Sequence, residues 1–151
     1  MRQGATPDIG QADAVEIRAL GPGDLELVVA ASHLFDDPAD PAAADRFLED
    51  ERHHLLVAYE DGRPVGFVSG VEMTHPDKGT EMFLYELAVD EPWRRRGIGR
   101  ELVERLEEVA RARHCYGMWV ATDDENVAAL ATYRSTGGDP ETGQVVFAWT
   151  F

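Results

Sequence analysis

From Gly97 onward the apolar residues fall at Ile98, Leu102, Val103, Leu106, Val109 and Ala110, with spacings of four, one, three, three and one. That rhythm predicts an amphipathic helix. Its outer face carries Glu101 with Arg105 and Glu107 with Arg111, pairs four apart that meet on a helix surface. Upstream the pattern shortens to strands. "AVEIRAL" (14–20) alternates and ends at Gly21-Pro22-Gly23. Asp24 reads as the N-cap of a short helix carrying Leu25, Val28 and Val29, and Asp40-Pro41 as the cap and first residue of another, with Phe47 and Leu48 buried. His53-His54 reads as that helix's end. "LLVAYE" (55–60), Asp61-Gly62 and "RPVGFVSGVEM" form a predicted hairpin, and "THPDKG" (74–79) a further turn.

"EMFLYELAV" (81–89) is apolar on both faces, as in a central strand covered on both sides. Strict alternation groups Met82, Leu84 and Glu86 on one face and Phe83, Tyr85 and Leu87 on the other, which leaves Glu86 as the exception. "CYGMWVAT" (115–122) is a predicted strand. Asp123-Asp124 then leads into a short helix through Leu130 and Tyr133, stopped by Gly137-Gly138. "QVVFAWTF" (144–151) is a predicted terminal strand. Together these elements predict a single α/β (α+β) domain with a mixed, mostly antiparallel sheet over 14–151, after a mobile tail at 1–13.

Composition narrows the class. Of 151 residues, 29 are acidic and 14 basic, giving a formal net charge of −15. Such a chain is repelled by nucleic acid and by anionic membranes and attracts cations. Cys115 is the only cysteine, so no disulfide within the chain is expected. No apolar run approaches a membrane span or a signal-peptide core, and the expected location is cytoplasmic. No histidine spacing suggests a metal.

Against this acidity, "PWRRRGIGRELVERL" concentrates Arg94, Arg95 and Arg96 before Gly97-Ile98-Gly99 at a helix start. The first N–H groups of a helix lack partners, and the helix dipole is positive there. Glycines let a phosphate approach the backbone, so the turn is a candidate pyrophosphate socket. It lacks the Lys-Ser/Thr of a nucleoside-triphosphatase loop and the third glycine of a dinucleotide fingerprint. A solvated basic run at an ordinary helix start is the alternative.

"ELAVDEPWRRRGIGRELVERL" resembles the acetyl-coenzyme A motif of the GNAT superfamily of N-acetyltransferases, Arg/Gln-x-x-Gly-x-Gly/Ala, with Arg94, Gly97 and Gly99 in place. "ENVAALATYRSTGG", some 30 residues on, resembles the superfamily's second signature through Asn126, Ala129, Tyr133 and Gly137. The resemblance implies a GNAT-like fold holding acetyl-CoA at a splayed strand pair. Leu87, Ala88 and Val89 would offer backbone groups to the pantetheine arm. The turn through Arg94, Arg95, Arg96, Gly97, Ile98, Gly99 and Arg100 would hold the pyrophosphate, and Asn126 would contact or orient the pantetheine.

Acetyl transfer requires a deprotonated amine, a polarised carbonyl and a stabilised leaving thiolate. Tyr133 suits the thiolate by resemblance, with an ordinary core aromatic as its alternative. A backbone N–H near Val89 suits the oxyanion. Glu86 is the candidate base, against a structural ion pair; Asp123 and Asp124 compete, against helix capping. Asp36, Asp37, Asp40, Glu86, Asp123, Asp124, Asp139 and Glu141 form acidic patches suited to a cationic acceptor. "FLYELAVDEPWRRRGIG" and the ending "QVVFAWTF" are similar to the aminoglycoside 3-N-acetyltransferases of the superfamily. The chain departs from them in having Glu86 where that group tends to have Asp, in "TDDENVAALATY", and in Gly138. The resemblance implies a small cationic aminoglycoside as acceptor, in a ternary complex. A polyamine, another small amine or a protein or peptide amine is the alternative, and a non-catalytic acyl-CoA-binding protein a further one. The apolar last strand is a candidate for pairing across a homodimer.

Overall fold

The structure, a computed structural model, describes residues 15–151; the tail expected at 1–13 lies outside the described residues. The strands β1 (Glu16–Leu20), β2 (His53–Glu60), β3 (Arg63–His75), β4 (Gly79–Val89) and β5 (Met118–Trp119) form one sheet in that order. The pairs from β1 to β4 are antiparallel and β4 with β5 is parallel. The helices are α1 (Leu25–Ala30), α2 (Pro41–Glu49), α3 (Ile98–Ala112) and α4 (Val127–Ser135). The expected mixed, mostly antiparallel α/β domain is what the chain forms.

Local chemistry explains most boundaries. The β2–β3 turn places Asp61 at φ 50° and Gly62 at φ 77°, the left-handed pair that a two-residue hairpin of the strands' own twist requires. Asp40 caps α2: its Oδ1 accepts from Ala42 N at 3.0 Å and Ala43 N at 3.3 Å, with Pro41 opening the helix. Asp40→Ala is expected to destabilise the fold by about 0.5–2 kcal/mol, read as a lowered urea midpoint at unchanged slope; an unmoved midpoint would show that the cap contributes nothing. Asp24 occupies the position before α1 but does not cap it. Its Oδ2 instead accepts from Gly21 N at 2.9 Å, closing the preceding turn.

Two apolar cores flank the sheet. One packs α3 through Ile98, Leu102, Val103, Leu106 and Ala110 against Leu56, Ala58, Val68, Met82 and Leu84. The other packs α1 and α2 through Val28 and Leu48 against Leu55, Val57, Tyr59 and Phe67. Gly70 lets α3 approach this closely: a Cβ there would meet Met82 Sδ at 2.9 Å and Leu106 Cδ1 at 3.0 Å.

Several expectations change. His53 and His54 open β2 rather than end a helix, because the chain extends at Asp50 and His54 pairs with the buried Glu72 at 2.8 Å. On α3, Glu107 pairs with Arg111 as expected, whereas Arg105 turns to Glu108 instead of Glu101. The strand expected at 115–122 shrinks to Met118–Trp119, because the chain then leaves β4. Residues 144–151 form no strand: among the described residues they find no ladder partner in their own chain.

The main correction concerns Glu86. In the β3–β4 ladder Ser69 faces Glu86 and Gly70 faces Leu84, leaving Tyr85 as an extra residue. This β-bulge shifts the alternation by one. Met82 and Leu84 stay in the α3-side core, and Glu86 emerges on the opposite face. After the bulge, Leu87 and Val89 return to the α3 side while Ala88 joins the other core.

Candidate active site

At the end of β4 the chain passes through a short 3-10 turn, Glu91–Trp93, into the arginine–glycine segment. Trp93 Nε1 and Arg96 Nη1 both donate to the Glu60 carboxylate, the latter at 3.2 Å, which ties this segment to the end of β2. Arg94 Nε donates to Val89 O at 2.9 Å. Arg95 has φ 64° and Gly97, which caps α3, has φ 79°. Gly97 has no side chain to cap with, so the first N–H groups of α3 are left for another acceptor, at the positive end of a four-turn helix.

Three elements converge at Gly99. A Cβ there would lie 3.7 Å from Thr132 Cγ2 of α4, 3.7 Å from Val89 Cγ2 and 4.0 Å from Leu87 Cδ2. The sheet opens beside this point. β4 and β5 pair only at Met82 with Met118 and Phe83 with Trp119, so the β5-side edge of β4 is unpaired from Leu84 to Val89. A splayed strand with free backbone groups thus leads to an uncapped helix N-terminus. Such an arrangement suits a ligand with an amide-bearing arm and a pyrophosphate, and acetyl-CoA has both. Leu87, Ala88, Val89 and the turn from Arg94 to Arg100 all lie on this path. The guanidinium groups of Arg94 and Arg96 turn back onto Val89 and Glu60. Asn126 also has a structural task. Its Oδ1 accepts from Ala129 N at 3.1 Å, capping α4.

On the other face lies a cleft of about 600 Å³. Asp36, Asp37 and Asp40, from the α1–α2 connection, line it together with Ser69, Tyr85 and Glu86. Phe35, Phe47 and Phe67 give it apolar walls. Burial pushes the Glu86 carboxyl above the usual carboxylate range, and the neighbouring Asp36 charge pushes it further. No cationic partner opposes this among the described residues, so Glu86 is not half of an ion pair. Asp123, Asp124 and Glu141 lie in solvent outside this cleft. Tyr133 is half-buried against the α3-side core, and burial raises its phenol above the ordinary tyrosine range. Glu86 and Tyr133 therefore flank the sheet from opposite sides, beside the gap that opens between β4 and β5.

Residues 25–137 match the acetyltransferase (GNAT) family. The chain belongs to that family. The family implies acetyl-CoA or CoA as a ligand, and the uncapped start of α3 and the splayed edge of β4 fit such a molecule. Over 102 residues, 68% of the chain, it is 37% identical to the N-alpha-acetyltransferase RimI of Mycobacterium tuberculosis. The matched stretch spans 62% of that relative's length. The fold is shared with an aminoglycoside acetyltransferase from an uncultured soil metagenomic sample, crystallised with trehalose, at a TM-score of 0.83 and 24% identity over 91% of this chain and 96% of that one. It is also shared with the aminoglycoside N-acetyltransferase AAC(6')-Iy in complex with CoA, at a TM-score of 0.78 and 21% identity over 94% and 98%.

Some contributors to the site were not marked in the sequence. Glu60 lies 36 residues before the arginine it holds, and nothing local flags that contact. Ser69 and Tyr85 come into the cleft only through strand register and the bulge. No helix among the described residues is long and apolar enough to cross a membrane.

Proposed function

We propose that the protein transfers an acetyl group from acetyl-CoA to a primary amine of a small polycation, with an aminoglycoside as the acceptor class. The observation that carries this reading is the acidic cleft, into which a bulge turns Glu86 beside Asp36, Asp37 and Asp40. A cleft of this size suits a compact ligand, and its carboxylates suit several ammonium groups held together. An ammonium beside Glu86 favours the ionised carboxylate, countering burial. Glu86 then takes the proton through water, because an alkylammonium of pKa about 10 is not a nucleophile.

Acetyl-CoA supplies the activated thioester, held by the backbone of Leu87 to Val89 and by the N–H groups from Arg95 to Arg100. As the C–N bond forms and the C–S bond breaks, a backbone N–H near Val89 stabilises the oxyanion and Tyr133 gives its proton to the departing sulfur. The likeness of the β4 sequence to 3-N-acetyltransferases makes the 3-amino group the first position to examine by NMR of the product.

A second reading, acetylation of a peptide or protein α-amine, is favoured by the similarity to RimI. Thiol release from acetyl-CoA separates the two, using gentamicin-like and kanamycin-like aminoglycosides, spermidine and a peptide with a free N-terminus. Fast turnover with an aminoglycoside is expected. Turnover with the peptide alone would transfer the assignment to the second reading, and turnover with spermidine alone would restrict the acceptor to linear polyamines.

A further inference from the structure

The turn proposed to hold the donor's pyrophosphate has a carboxylate at its back. Glu60, the last residue of β2, receives two donors from that turn, Trp93 Nε1 and, at 3.2 Å, Arg96 Nη1. Its side chain is 21% exposed and so largely shielded from water. A negative charge behind an anion site runs against simple electrostatics. It repels the ligand and neutralises an arginine that could attract it.

Little else shapes the turn. Its 3-10 segment is three residues long. Arg95 and Gly97 both take left-handed backbone, at φ 64° and φ 79°, and at Arg95 that conformation crowds a side chain. Gly97 has no side chain with which to cap α3. The β2–β3 hairpin supplies the missing contacts. Arg63, the first residue of β3, places its guanidinium 4.8 Å over the Trp93 ring and lies 3.7 Å from Asp90 Oδ2. Asp90 N donates to Val65 O at 2.8 Å. The Trp93 indole is thus held on its face by Arg63 and at its N–H by Glu60. The same Glu60 carboxylate fixes Arg96, so one group pins both ends of the stretch that contains the strained Arg95.

We infer that Glu60 is a positioning residue for donor binding. By tying Trp93 to Arg96 it keeps the residues between them in the left-handed shape that aims the N–H groups at the start of α3 toward the pyrophosphate. This role presupposes that the turn is the donor site, as proposed above. Bonds to a shielded carboxylate are strong enough to hold such a shape. Without them Arg95 is free to return to negative φ and swing the N–H groups away. Charge and shape then predict opposite signs. Removal of Glu60 takes away a repulsion and releases Arg96, which by charge alone should tighten the binding of an anion. Loss of the shape should weaken it.

Calorimetric titration of the full chain with CoA reads that sign. Glu60→Ala is expected to raise the Kd roughly tenfold or more, the worth of one charge-assisted hydrogen bond. Glu60→Gln is expected to fall between it and the wild type, because the amide oxygen still accepts from Trp93 but carries no charge to pair with Arg96. Trp93→Phe keeps the ring beneath Arg63 and loses only the Nε1 donor. It should also weaken CoA, and adding it to Glu60→Ala should cost little more. Circular dichroism checks that each variant is folded; should Glu60→Ala not fold, Glu60→Gln carries the test with the same sign. CoA bound as tightly as by the wild type, or more tightly, in the folded Glu60 variant overturns the inference, and so does a double variant whose losses multiply. A variant that only melts earlier, at unchanged CoA affinity, shows a structural role and overturns it too. A wild-type chain that does not bind CoA removes the donor site itself and the role of Glu60 with it, an outcome distinct from normal wild-type binding that Glu60→Ala leaves untouched.

Discussion

Glu86→Gln is expected to lower kcat by about 10²–10⁴-fold, the range that a positioned general base contributes, while acetyl-CoA binds as tightly as before. The split follows from placement. Glu86 lies in the acidic cleft on the α1–α2 face, whereas the residues suited to the donor run along the β5-side edge of β4 and the start of α3. Glutamine is close in shape and Glu86 has no ionic partner to lose, so the fold should be little affected. The wild-type kcat/KM, which reports the free enzyme, is expected to fall as pH drops, through a midpoint above the usual glutamate range, because burial and Asp36 both raise that carboxyl. The sign follows from the role: a base works only when ionised, so activity is present above the raised pKa and lost below it. Asp36→Asn should move that midpoint downward by removing one of the two causes. Wild-type kcat in Glu86→Gln, or a wild-type limb at an ordinary glutamate value unmoved by Asp36→Asn, would remove Glu86 from the chemistry.

How Glu86 comes to face the cleft also shows what the sequence could and could not convey. α3 was legible because its apolar spacing is dense and long, and every position on that stripe is buried or half-buried. The cap at Asp40-Pro41 and the turn at Asp61-Gly62 were legible because local sterics and hydrogen bonding fix them. The face of Glu86 was not, because a bulge is a property of two strands together and no residue type in "EMFLYELAV" marks it. One slipped residue at Tyr85 sends every following side chain to the other side. The same holds for Arg96, which reads as free positive charge until β2 brings Glu60 beside it. The final apolar run read as a strand, yet a strand needs a partner, and alternation in one chain cannot say where that partner is. Asp123, Asp124 and Glu141 carry the right charge for a cation site but lie outside the cleft, since charge alone carries no geometry.

Tyr133→Phe is expected to lower kcat by a comparable factor, about 10²–10⁴-fold for loss of a general acid, with little change in thermal stability. The phenol is half-buried, and burial is the sole cause of its raised pKa, so Phe keeps the packing against the α3-side core and gives up no internal hydrogen bond. The raised pKa is itself suited to the role. A phenol held above its ordinary value of about 10 remains protonated at neutral pH, so its proton is available when the C–S bond breaks. Activity should therefore persist as pH rises and fail only above the ordinary tyrosine range, the reverse limb of the one assigned to Glu86. In Tyr133→Phe that upper limb should vanish while the lower one stays in place. A purely structural Tyr133 would instead leave kcat and the upper limb unchanged, because Phe keeps its packing. In the proposed mechanism the two side chains serve one reacting centre from opposite faces of the sheet, so their combined loss should fall well short of the product of the single losses.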